Sequence, residues 1–331
     1  MNKNQHQPQP IFTKAKLIYN PHAGTKRRLL PNLHTNTSLE DIKDTLEQYQ
    51  IPVDLAPTKS PGHATQLAKE SIKEGYKLVI AAGGDGTVGE VANGLVGSDV
   101  TLGIVPLGSF MNVAKMLSIP TDVEKAVALI KIGRSRKVDV GCVTKLSGEK
   151  LSEPYYFLEN AGIGLEAELH EYILEMERGN KKAIYKIFHT LFEYYGHRTI
   201  IKLDDQTIET RAIIVAVANG PVAGAALPVA PKAKLNDHRL TVTIYYMTKF
   251  ELIKHFLKSL RIGPFYSPKI KTFKSKKVII KTRTERLVHA DARLFGTTPV
   301  ECKIIPNALN VIAGFPQPGT SSLIKRTLLD P

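Results

Sequence analysis

The sequence predicts an α/β protein of two domains, an N-terminal doubly wound, mainly parallel sheet and a C-terminal β-sandwich-like domain with helical insertions. Two observations support this. Up to about residue 136, short apolar runs alternate with amphipathic segments, whereas strand-like segments separated by turn residues dominate afterwards. The chain of 331 residues, 43 % of them hydrophobic, is long enough to bury two cores. We therefore place the first domain at 1–136 and the second at 137–302.

Alternation of strand and helix patterns runs through the first domain. The run KLVIAA (77–82) is typical of a buried strand, and LEDIKDTLEQYQ (39–50) carries apolar residues at helical spacing. Such a βαβα order indicates a doubly wound, mainly parallel sheet. The predicted strands are 15–20, 53–55, 77–82 and 101–105, and the predicted helices are 39–50, 63–76, 87–95 and 123–133.

Strand patterns follow one another in the second domain. Segments such as RTIIKLDD, LTVTIYYM and KKVIIKTR are rich in β-branched and aromatic residues and are bounded by turn residues. This pattern favours a β-sandwich. Two helical insertions interrupt it, at 165–195 and 249–261.

The charge of the chain restricts its partners. Lysine and arginine number 45 against 31 acidic residues, a formal net charge of +14. This surplus favours an anionic partner, such as nucleic acid, a phosphorylated cofactor or an anionic membrane face, although a generally basic surface gives the same balance. No aromatic-interleaved nucleic-acid motif occurs, so we expect no nucleic-acid partner.

The compartment is predicted from the cysteines and the apolar runs. The two cysteines form no CxxC motif, and the first ten residues lack an apolar run of the kind that signal peptides carry. The longest apolar stretches, such as IIVAVA (213–218), are far shorter than the ~20 residues of a membrane span. We expect a cytoplasmic protein whose membrane contact is peripheral.

The stretch GGDGTVGE (83–90) joins a predicted strand to a predicted helix. Glycines let a backbone approach a ligand closely, and a helix N-terminus after a strand directs several N–H groups at one point, a geometry that attracts phosphate. Asp85 would repel phosphate unless it binds Mg²⁺ between itself and the phosphates. Thr87 is expected to cap the helix that begins there. A plain tight turn capped by Asp85 is the simpler alternative. The stretch is neither a P-loop nor a dinucleotide fingerprint.

Six motifs in one order resemble the diacylglycerol kinase catalytic superfamily, which includes diacylglycerol, sphingosine and ceramide kinases and, more distantly, NAD kinases. GGDGTVGEVANGL is similar to that family's GGDGTxNExxNGL signature. The other five are YNPHAG (19–24), PLGSFMNVAKMLSIP (106–120), YFLENAGIGLEAE (156–168), VANGPVAGAALPVAPKAKLNDHRLTV (217–242) and HADARLFGTTPVECKIIPNALNVI (289–312).

The resemblance implies γ-phosphoryl transfer from ATP, with Mg²⁺, to a lipid hydroxyl at a membrane surface. It also implies a nucleotide cleft between the domains and a final segment, 303–331, that returns to the first domain. NAD kinase is a third alternative, but the rest of the chain matches the lipid branch better. A homodimer is left open. The resemblance assigns nucleotide binding to Asn20, Pro21, His22, Ala23, Gly24, Thr58, Gly83, Gly84, Asp85, Gly86, Thr87, Glu90 and Ser109.

One departure concerns catalysis. The family's DGE motif, whose glutamate is the proposed general base, here is Asp291-Ala292-Arg293. Arginine stays protonated and cannot accept a proton, although it can contact phosphate. We assign Asp85, Asp291 and Arg293 to the catalytic set. Either Asp291 or Glu166 takes the role of base, or the protein is a catalytically weak regulator that binds lipid or nucleotide.

Two other loops depart from the family pattern. In the PLGTxND segment, Met111 and Asn112 replace asparagine and aspartate. In the DDG segment, which holds a structural Mg²⁺ in bacterial relatives, the chain has Asn236-Asp237-His238. We assign a metal site to Asp237 with its neighbours Lys234 and Arg239. Two alternatives stay open, a lysine ammonium in place of the metal and a charged surface turn.

Two helical segments have open interpretations. Segment 181–196 is aromatic-rich, and a core helix is the simpler interpretation, with a lipid-cleft lining as the alternative. Segment 248–263 mixes apolar and basic residues. An ordinary surface helix is the simpler interpretation there, and a helix lying on an anionic membrane is the alternative.

Overall fold

The computed structural model describes residues 14–23, 38–108, 110–147, 150–177, 179–223, 229–262 and 267–314. Two sheets, of eleven and six strands, account for the strands in these ranges. Gly24 and Ser109 of the predicted nucleotide site lie outside the described residues.

The first domain is a doubly wound sheet, as predicted. Strands β2, β1, β3 and β4 pair in parallel in that order, and β3 and β4 are buried along their whole length, as strands covered on both faces are. One face packs against α2, α3 and α4, and the other against α1 and α5. The elements are β1 (Ala15–Tyr19), α1 (Leu39–Gln48), β2 (Val53–Pro57), α2 (His63–Lys73), β3 (Leu78–Gly83), α3 (Asp85–Leu95), β4 (Thr101–Pro106), α4 (Asn112–Met116) and α5 (Val123–Ile132).

The second domain contains two antiparallel layers and confirms the sandwich-like prediction. One layer has the order β13-β12-β11-β8-β15-β16, and the other contains β10-β9-β14-β17 with β5. The elements are β5 (Ser135–Ser147), β6 (Lys150–Leu151), β7 (Tyr155–Phe157), β8 (Asn160–Gly164), α6 (Leu165–Glu177), α7 (Ala183–Glu193), β9 (His197–Lys202), β10 (Thr207–Ala212), β11 (Ile214–Ala218), β12 (Leu240–Tyr245), α8 (Lys249–Ile262), β13 (Ile270–Ser275), β14 (Lys277–Thr282), β15 (Leu287–Ala290), β16 (Arg293–Thr297) and β17 (Val300–Ile312).

A single core lies between these layers. It is built from inward-facing residues of both, among them Phe157, Val242 and Ile280. Strand β17 belongs to both domains, because it pairs antiparallel with β5 along most of its length and parallel with β4 at Asn310 and Val311. The larger sheet is therefore continuous from the first domain into the sandwich.

The helical insertions differ in detail from the prediction. Segment 165–195 forms two helices, α6 and α7. The interpretation of 181–196 as a core helix is wrong, because its aromatic side chains are mostly exposed, Tyr185 to 73 % and Phe192 to 62 %. None of the helices in the described ranges combines the length and the apolarity that are needed to span a bilayer.

Candidate functional site

The loops that follow β1, β2, β3 and β4 meet at one edge of the parallel sheet. Asn20 N–H donates to the Ala82 carbonyl (3.2 Å), and Thr58 N–H donates to the Tyr19 carbonyl (2.9 Å). Leu107 N–H donates to the Gly83 carbonyl (2.9 Å). Three of the predicted nucleotide residues thus come together at the carboxyl edge, where ligands bind in open α/β sheets.

The glycine loop gives α3 an open N-terminus. Gly84 is the N-cap residue, with extended backbone, and Asp85, Gly86 and Thr87 form the first turn. Their N–H groups have no intrahelical partner, and no described side chain accepts from them. The expected cap by Thr87 is wrong because the helix begins two residues earlier. Thr87 packs over Gly83 instead, where an added Cβ would lie 2.7 Å from its Cβ. The free amides fit a phosphate group.

A second glycine supports the loop from the side. A Cβ added to Gly108, in the loop after β4, would lie 2.6 Å from the Gly84 Cα. The Gly108 N–H contacts the Met111 sulfur at 2.9 Å. The two loops therefore touch backbone to backbone, a contact that requires glycine at position 108.

Asp85 joins α3 to α4. Its Oδ1 accepts from the Val113 N–H (3.1 Å). Burial raises the pKa of Asp85, while the α4 amides and the Lys115 ammonium oppose that shift. Burial also lowers the pKa of Lys115. One carboxylate together with substrate phosphates is a usual set of ligands for Mg²⁺, so Asp85 fits as the protein ligand of a nucleotide-bound metal.

Glu90 lies one turn after Gly86 on α3 but faces α2. Its carboxylate accepts from the N–H groups of Gly62 (2.7 Å) and Ala64 (3.2 Å), and its carbonyl accepts from the Thr65 hydroxyl (2.8 Å). The glutamate thus caps the N-terminus of α2, where its negative charge stabilises the helix through the helix dipole. Its predicted contact with nucleotide remains a prediction.

A pocket of about 210 Å³ lies at the same carboxyl edge. Asn20, Pro21 and Ala23 of the predicted set line it, together with residues of β1, α1 and the loop after β4. His22 shapes the turn, because its N–H donates to the Asn20 Oδ1 (2.9 Å).

On the facing side of the cleft, Asp291 occupies a tight turn between β15 and β16, with φ 48°. Its carboxylate accepts from the N–H groups of Leu158 (2.7 Å), Glu159 (2.8 Å) and Asn160 (3.2 Å). Burial raises the pKa of Asp291 to about 6, against the opposing effect of these amides. Both oxygens are occupied, so this residue holds the turn in position.

The turn that Asp291 holds lies against the first turns of α3. A Cβ added to Gly86 would lie 3.6 Å from the Ala292 Cβ, and one added to Gly89 would lie 3.8 Å from the Asp291 Oδ2. Arg293 follows and is exposed, with its guanidinium 5.4 Å from the centre of the Tyr155 ring. That distance allows a cation–π contact. The glycine loop and the altered motif are therefore direct neighbours.

Sequence reasoning named Glu166 but missed the two buried histidines that it meets behind this turn. The Glu166 Oε1 accepts from the Asn160 side-chain amide (2.9 Å) and lies 3.2 Å from the His289 Nε2, without hydrogen-bond alignment. His170 stacks on His289, with ring centres 4.8 Å apart. The two histidines are 119 positions apart in the sequence, so no spacing pattern could predict their contact.

Burial and charge shift the pKa values of this group. Burial would raise the pKa of Glu166, but His289 and Asn160 outweigh it and the pKa lies below its ordinary value. Burial would lower the pKa of His289, but Glu166 outweighs it and the pKa lies above its ordinary value. Burial and the neighbouring His289 lower the pKa of His170 to about 4. The Glu166–His289 pair is thus favoured in its charged form.

Two asparagines connect the domains. Asn93 on α3 donates to the Tyr156 carbonyl (2.6 Å) and accepts from its N–H (2.9 Å). Asn112, at the position of the family's aspartate, donates from its side chain to the buried Glu159 Oε2 (2.9 Å). Both contacts hold the cleft walls together. The acidic residue inside the mostly apolar stretch YYFLENAG (155–162) was the available signal for Glu159.

The predicted metal loop does not fit a metal. Asp237 forms a close ion pair with Lys274, and Lys234 and Arg239 are exposed cations, which cannot serve as ligands. The described residues contain no group of three or more His, Cys, Asp or Glu side chains placed for metal binding. The metal assignment to Asp237, Lys234 and Arg239 is therefore not supported by the geometry of the loop.

His238 and the buried Asp139 connect this loop to the sheet. The Asp139 Oδ2 accepts from the His238 N–H (2.7 Å), and its Oδ1 lies 2.9 Å from the His238 Nδ1. The same Oδ1 accepts from the Asn307 N–H (2.9 Å) in β17. Sequence reasoning missed Asp139, although an aspartate inside the apolar run VDV (138–140) was a visible signal for a buried polar contact.

Comparisons with known proteins agree with this geometry. The family model of the diacylglycerol kinase catalytic domain matches residues 14–143, and that of the YegS C-terminal NAD kinase beta sandwich-like domain matches residues 160–313. A diacylglycerol kinase of Staphylococcus saprophyticus is 26 % identical over 293 residues, covering 86 % of this chain and 90 % of the relative. A diacylglycerol kinase of Staphylococcus haemolyticus is 27 % identical over 292 residues, covering 86 % and 83 %.

A solved structure extends the likeness to the whole fold. A Bacillus anthracis protein, whose crystal structure was described as that of a candidate diacylglycerol kinase, superposes with a TM-score of 0.73 at 25 % identity. The superposition covers 92 % of this chain and 98 % of the other. The two matched family models, the relatives and the shared two-domain fold lead to one conclusion: this chain belongs to the diacylglycerol kinase catalytic-domain family.

Proposed function

We propose that this protein is a lipid kinase that transfers the γ-phosphate of ATP to a hydroxyl of diacylglycerol or a related lipid. One observation carries the proposal: the turn of Asp291 and Ala292 lies directly against Gly86 and Gly89 of α3. This contact places the open N-terminus of α3 and the segment that carries the family's base on the two walls of one cleft. Phosphoryl transfer needs that proximity.

The nucleotide side supplies the anion-binding groups. The free N–H groups of Asp85, Gly86 and Thr87 would bind phosphate oxygens at the positive end of α3. Asp85 would hold the Mg²⁺ that ATP brings, and that ion neutralises charge on the phosphates. The positive charge of Lys115, near Asp85, favours the ionised form of this carboxyl group when no metal is bound.

The acceptor side must supply a group that takes the hydroxyl proton. Asp291 is poorly suited because its two oxygens accept from three amides. Glu166 keeps one oxygen, Oε2, without a hydrogen-bond partner among the described residues, and its lowered pKa keeps it ionised at neutral pH. We therefore assign proton acceptance to Glu166 and a charge-stabilising contact to Arg293.

The second candidate is a regulator that binds nucleotide or lipid with little turnover. The exposed Arg293 favours it, since loss of a general base costs ~10²–10⁴-fold in rate. The kinase predicts nucleotide binding at α3 together with phosphoryl transfer. The regulator predicts binding of nucleotide or lipid without efficient transfer.

The deciding experiment combines two measurements. Transfer of radiolabelled γ-phosphate from Mg-ATP would be followed with diacylglycerol, sphingosine, ceramide and NAD as separate acceptors, and ATP binding would be measured by calorimetry. We expect binding of ATP and labelling of at least one lipid. Binding without labelling of any lipid would favour the regulator, and NADP formation would identify an NAD kinase instead.

A further inference from the structure

Helix α7 is apolar on two faces. Its inward face includes Ala183 and Leu191 and packs towards α6. An apolar helix face is normally covered by other parts of the protein, with polar residues such as Lys186 and Glu193 left on the opposite side. The outward face of α7 is nevertheless exposed. It consists of Ile184 (41 % exposed), Tyr185 (73 %), Phe188 (57 %), Phe192 (62 %) and Tyr195 (68 %).

Helix α8 extends this surface. Phe250 is 63 % exposed, and its ring meets that of Phe192 edge to face, with centroids 6.5 Å apart. Leu257, two turns further along α8, is 56 % exposed. The Lys249 Nζ lies over Tyr195 at 4.4 Å and also within 6.0 Å of the Phe192 and Phe250 ring centres. We call the exposed residues of α7 together with Lys249, Phe250 and Leu257 the aromatic face.

Basic residues surround the aromatic face. The exposed lysines on its two helices are Lys181, Lys182, Lys186, Lys254 and Lys258. Of the acids nearby, Glu175 pairs with Lys186 and Glu251 with Lys269, and Glu193 on α7 lies against His189. An apolar centre rich in Phe and Tyr with a lysine rim is the pattern of a surface that rests in the headgroup region of an anionic bilayer.

Charge decides between a bilayer and a second copy of the chain. A two-fold dimer through this face would place the same lysine rim against itself, in a protein whose formal net charge is already +14. An anionic bilayer instead neutralises each lysine and covers the aromatic rings. The observations therefore favour a membrane.

We propose that the aromatic face docks the protein on an anionic bilayer. The site lies next to the acceptor side of the cleft, because α7 packs against α6 and α6 carries Glu166 in its first turn. The docking itself does not depend on catalysis. Its use, delivery of a membrane lipid to Glu166, rests on the proposed function.

The chain contains no tryptophan, so one introduced tryptophan reports on its own surroundings. Phe188→Trp places the probe in the aromatic face. Ile132→Trp places a matched probe at a 54 % exposed apolar position at the end of α5, in the first domain. Each variant would be mixed, without ATP, with vesicles of phosphatidylcholine alone or of phosphatidylcholine and phosphatidylglycerol in equal parts.

We expect a blue shift of the Phe188→Trp emission and quenching by brominated acyl chains with the anionic vesicles only, and no change for Ile132→Trp. The double change Phe188→Ser with Phe192→Ser should weaken vesicle binding by about a hundredfold, since each buried ring contributes about a tenfold factor. Ile132→Ser should leave it unchanged.

Three outcomes would overturn the proposal. The first is no shift of the Phe188→Trp emission with anionic vesicles, and the second is an equal shift of both probes. The third is a Phe188→Trp emission that is already blue-shifted in a dimer seen by sedimentation, which would identify a second copy as the occupant. Because no ATP or turnover is involved, failure of docking and failure of the lipid-kinase proposal are seen separately.

Discussion

The two walls of the cleft differ in what they leave open to a ligand. On the nucleotide side, the first amides of α3 point out of the helix with no described partner, and glycines at 84 and 108 keep side chains away from them. On the acceptor side, the Asp291 carboxylate is filled by three amides, and Arg293 stands at the end of the motif. Ligand binding is therefore better supported than turnover.

Two neighbouring helices make the same point within the nucleotide side. Helices α2 and α3 begin at the same edge of the sheet, yet the α2 N-terminus is capped by Glu90 and the α3 N-terminus is open. An open helix end is thus not the rule in this domain. Of the two helix ends, the α3 end is therefore the one that fits the proposed phosphate site.

The largest effect is expected from Asp85→Asn. The asparagine side-chain oxygen can still accept from the Val113 N–H, so the contact between α3 and α4 survives. The charge that would hold the metal is lost, and we expect lipid phosphorylation to fall by ~10²–10³-fold. The assay uses radiolabelled ATP, with thermal unfolding as the control for folding. Activity within a few-fold of the unchanged protein would remove Asp85 from the catalytic set.

The acceptor side separates the two candidate functions. Arg293→Glu together with Ala292→Gly restores the family's motif at an exposed position. We expect turnover to fall in the proposed kinase, because its charge-stabilising arginine is removed, whereas turnover rises by about tenfold or more in a regulator that had lost its base. Arg293→Gln is the matched control, which removes the charge without adding a base. If the double change abolishes an existing activity, Arg293 itself takes part in transfer and the regulator hypothesis fails.

The third prediction tests the glycine contact. In Gly108→Ala the new Cβ would lie 2.6 Å from the Gly84 Cα, so the loops must separate, and we expect a loss of ~1–3 kcal/mol in the free energy of unfolding and weaker ATP binding. Gly89→Ala is the control. Gly89 lies inside α3, and a Cβ there would be 3.8 Å from the Asp291 Oδ2, an ordinary contact distance. Alanine should therefore raise the free energy of unfolding by ~0.5–1 kcal/mol. Equal effects of the two changes would contradict a special role for the loop contact.

The fourth prediction concerns the loop that carries a metal in bacterial relatives. Lys274 forms an ion pair with Asp237, and the His238 ring contacts the Asp139 carboxylate. Because both carboxylates already have partners, Mg²⁺ or EDTA should not change the melting temperature of the unchanged protein. Asn236→Asp with His238→Gly restores the family's loop and removes the imidazole from Asp139. We expect this variant to melt lower in EDTA and to recover in Mg²⁺. A Mg²⁺ dependence in the unchanged protein would show that the loop binds metal after all.

Much of the fold and part of the site could be predicted from sequence. The parallel sheet could be predicted from the alternation of apolar runs with segments of helical spacing. Each run is a continuous stretch of sequence, and strands such as β3 and β4 are buried on both faces. The family motifs located the edge where Asn20, Thr58 and Gly83 meet. The Thr87 cap failed because helix boundaries depend on one or two residues, and a glycine can serve as N-cap without a side chain.

The remaining errors have a common cause, which is contact between distant segments. Nothing local to His289 indicates Glu166 or His170, and nothing local to Asp237 indicates Lys274. The prediction that the aromatic rings of α7 are buried was wrong for another reason. Aromatic residues at helical spacing predict burial, whereas these rings stay exposed among the described residues.

The smallest effect concerns pH and the pair behind the Asp291 turn. The pKa of His289 in the fold lies above the ordinary histidine pKa of 6.5. Above pH 6.5 the folded protein therefore keeps a proton that the unfolded chain releases. The stability that His289 contributes is therefore complete below about pH 6.5 and is lost as pH rises through the folded-state pKa. The lowered pKa of Glu166, the pKa of His170 at about 4 and that of Asp291 at about 6 place their titrations at lower pH.

The measurement compares the unchanged protein with His289→Gln at about pH 6.5 and about pH 9. We expect the melting temperature of the unchanged protein to exceed that of the variant by about 2 °C more at the lower pH, the size that ~1 kcal/mol produces in a protein of this length. His189→Gln, on the exposed side of α7, is the control and should show no such difference. A gap that is constant with pH would mean that His289 is neutral in the fold, and the charged pair with Glu166 would have to be abandoned, together with the ionised acceptor-side carboxylate that it supports.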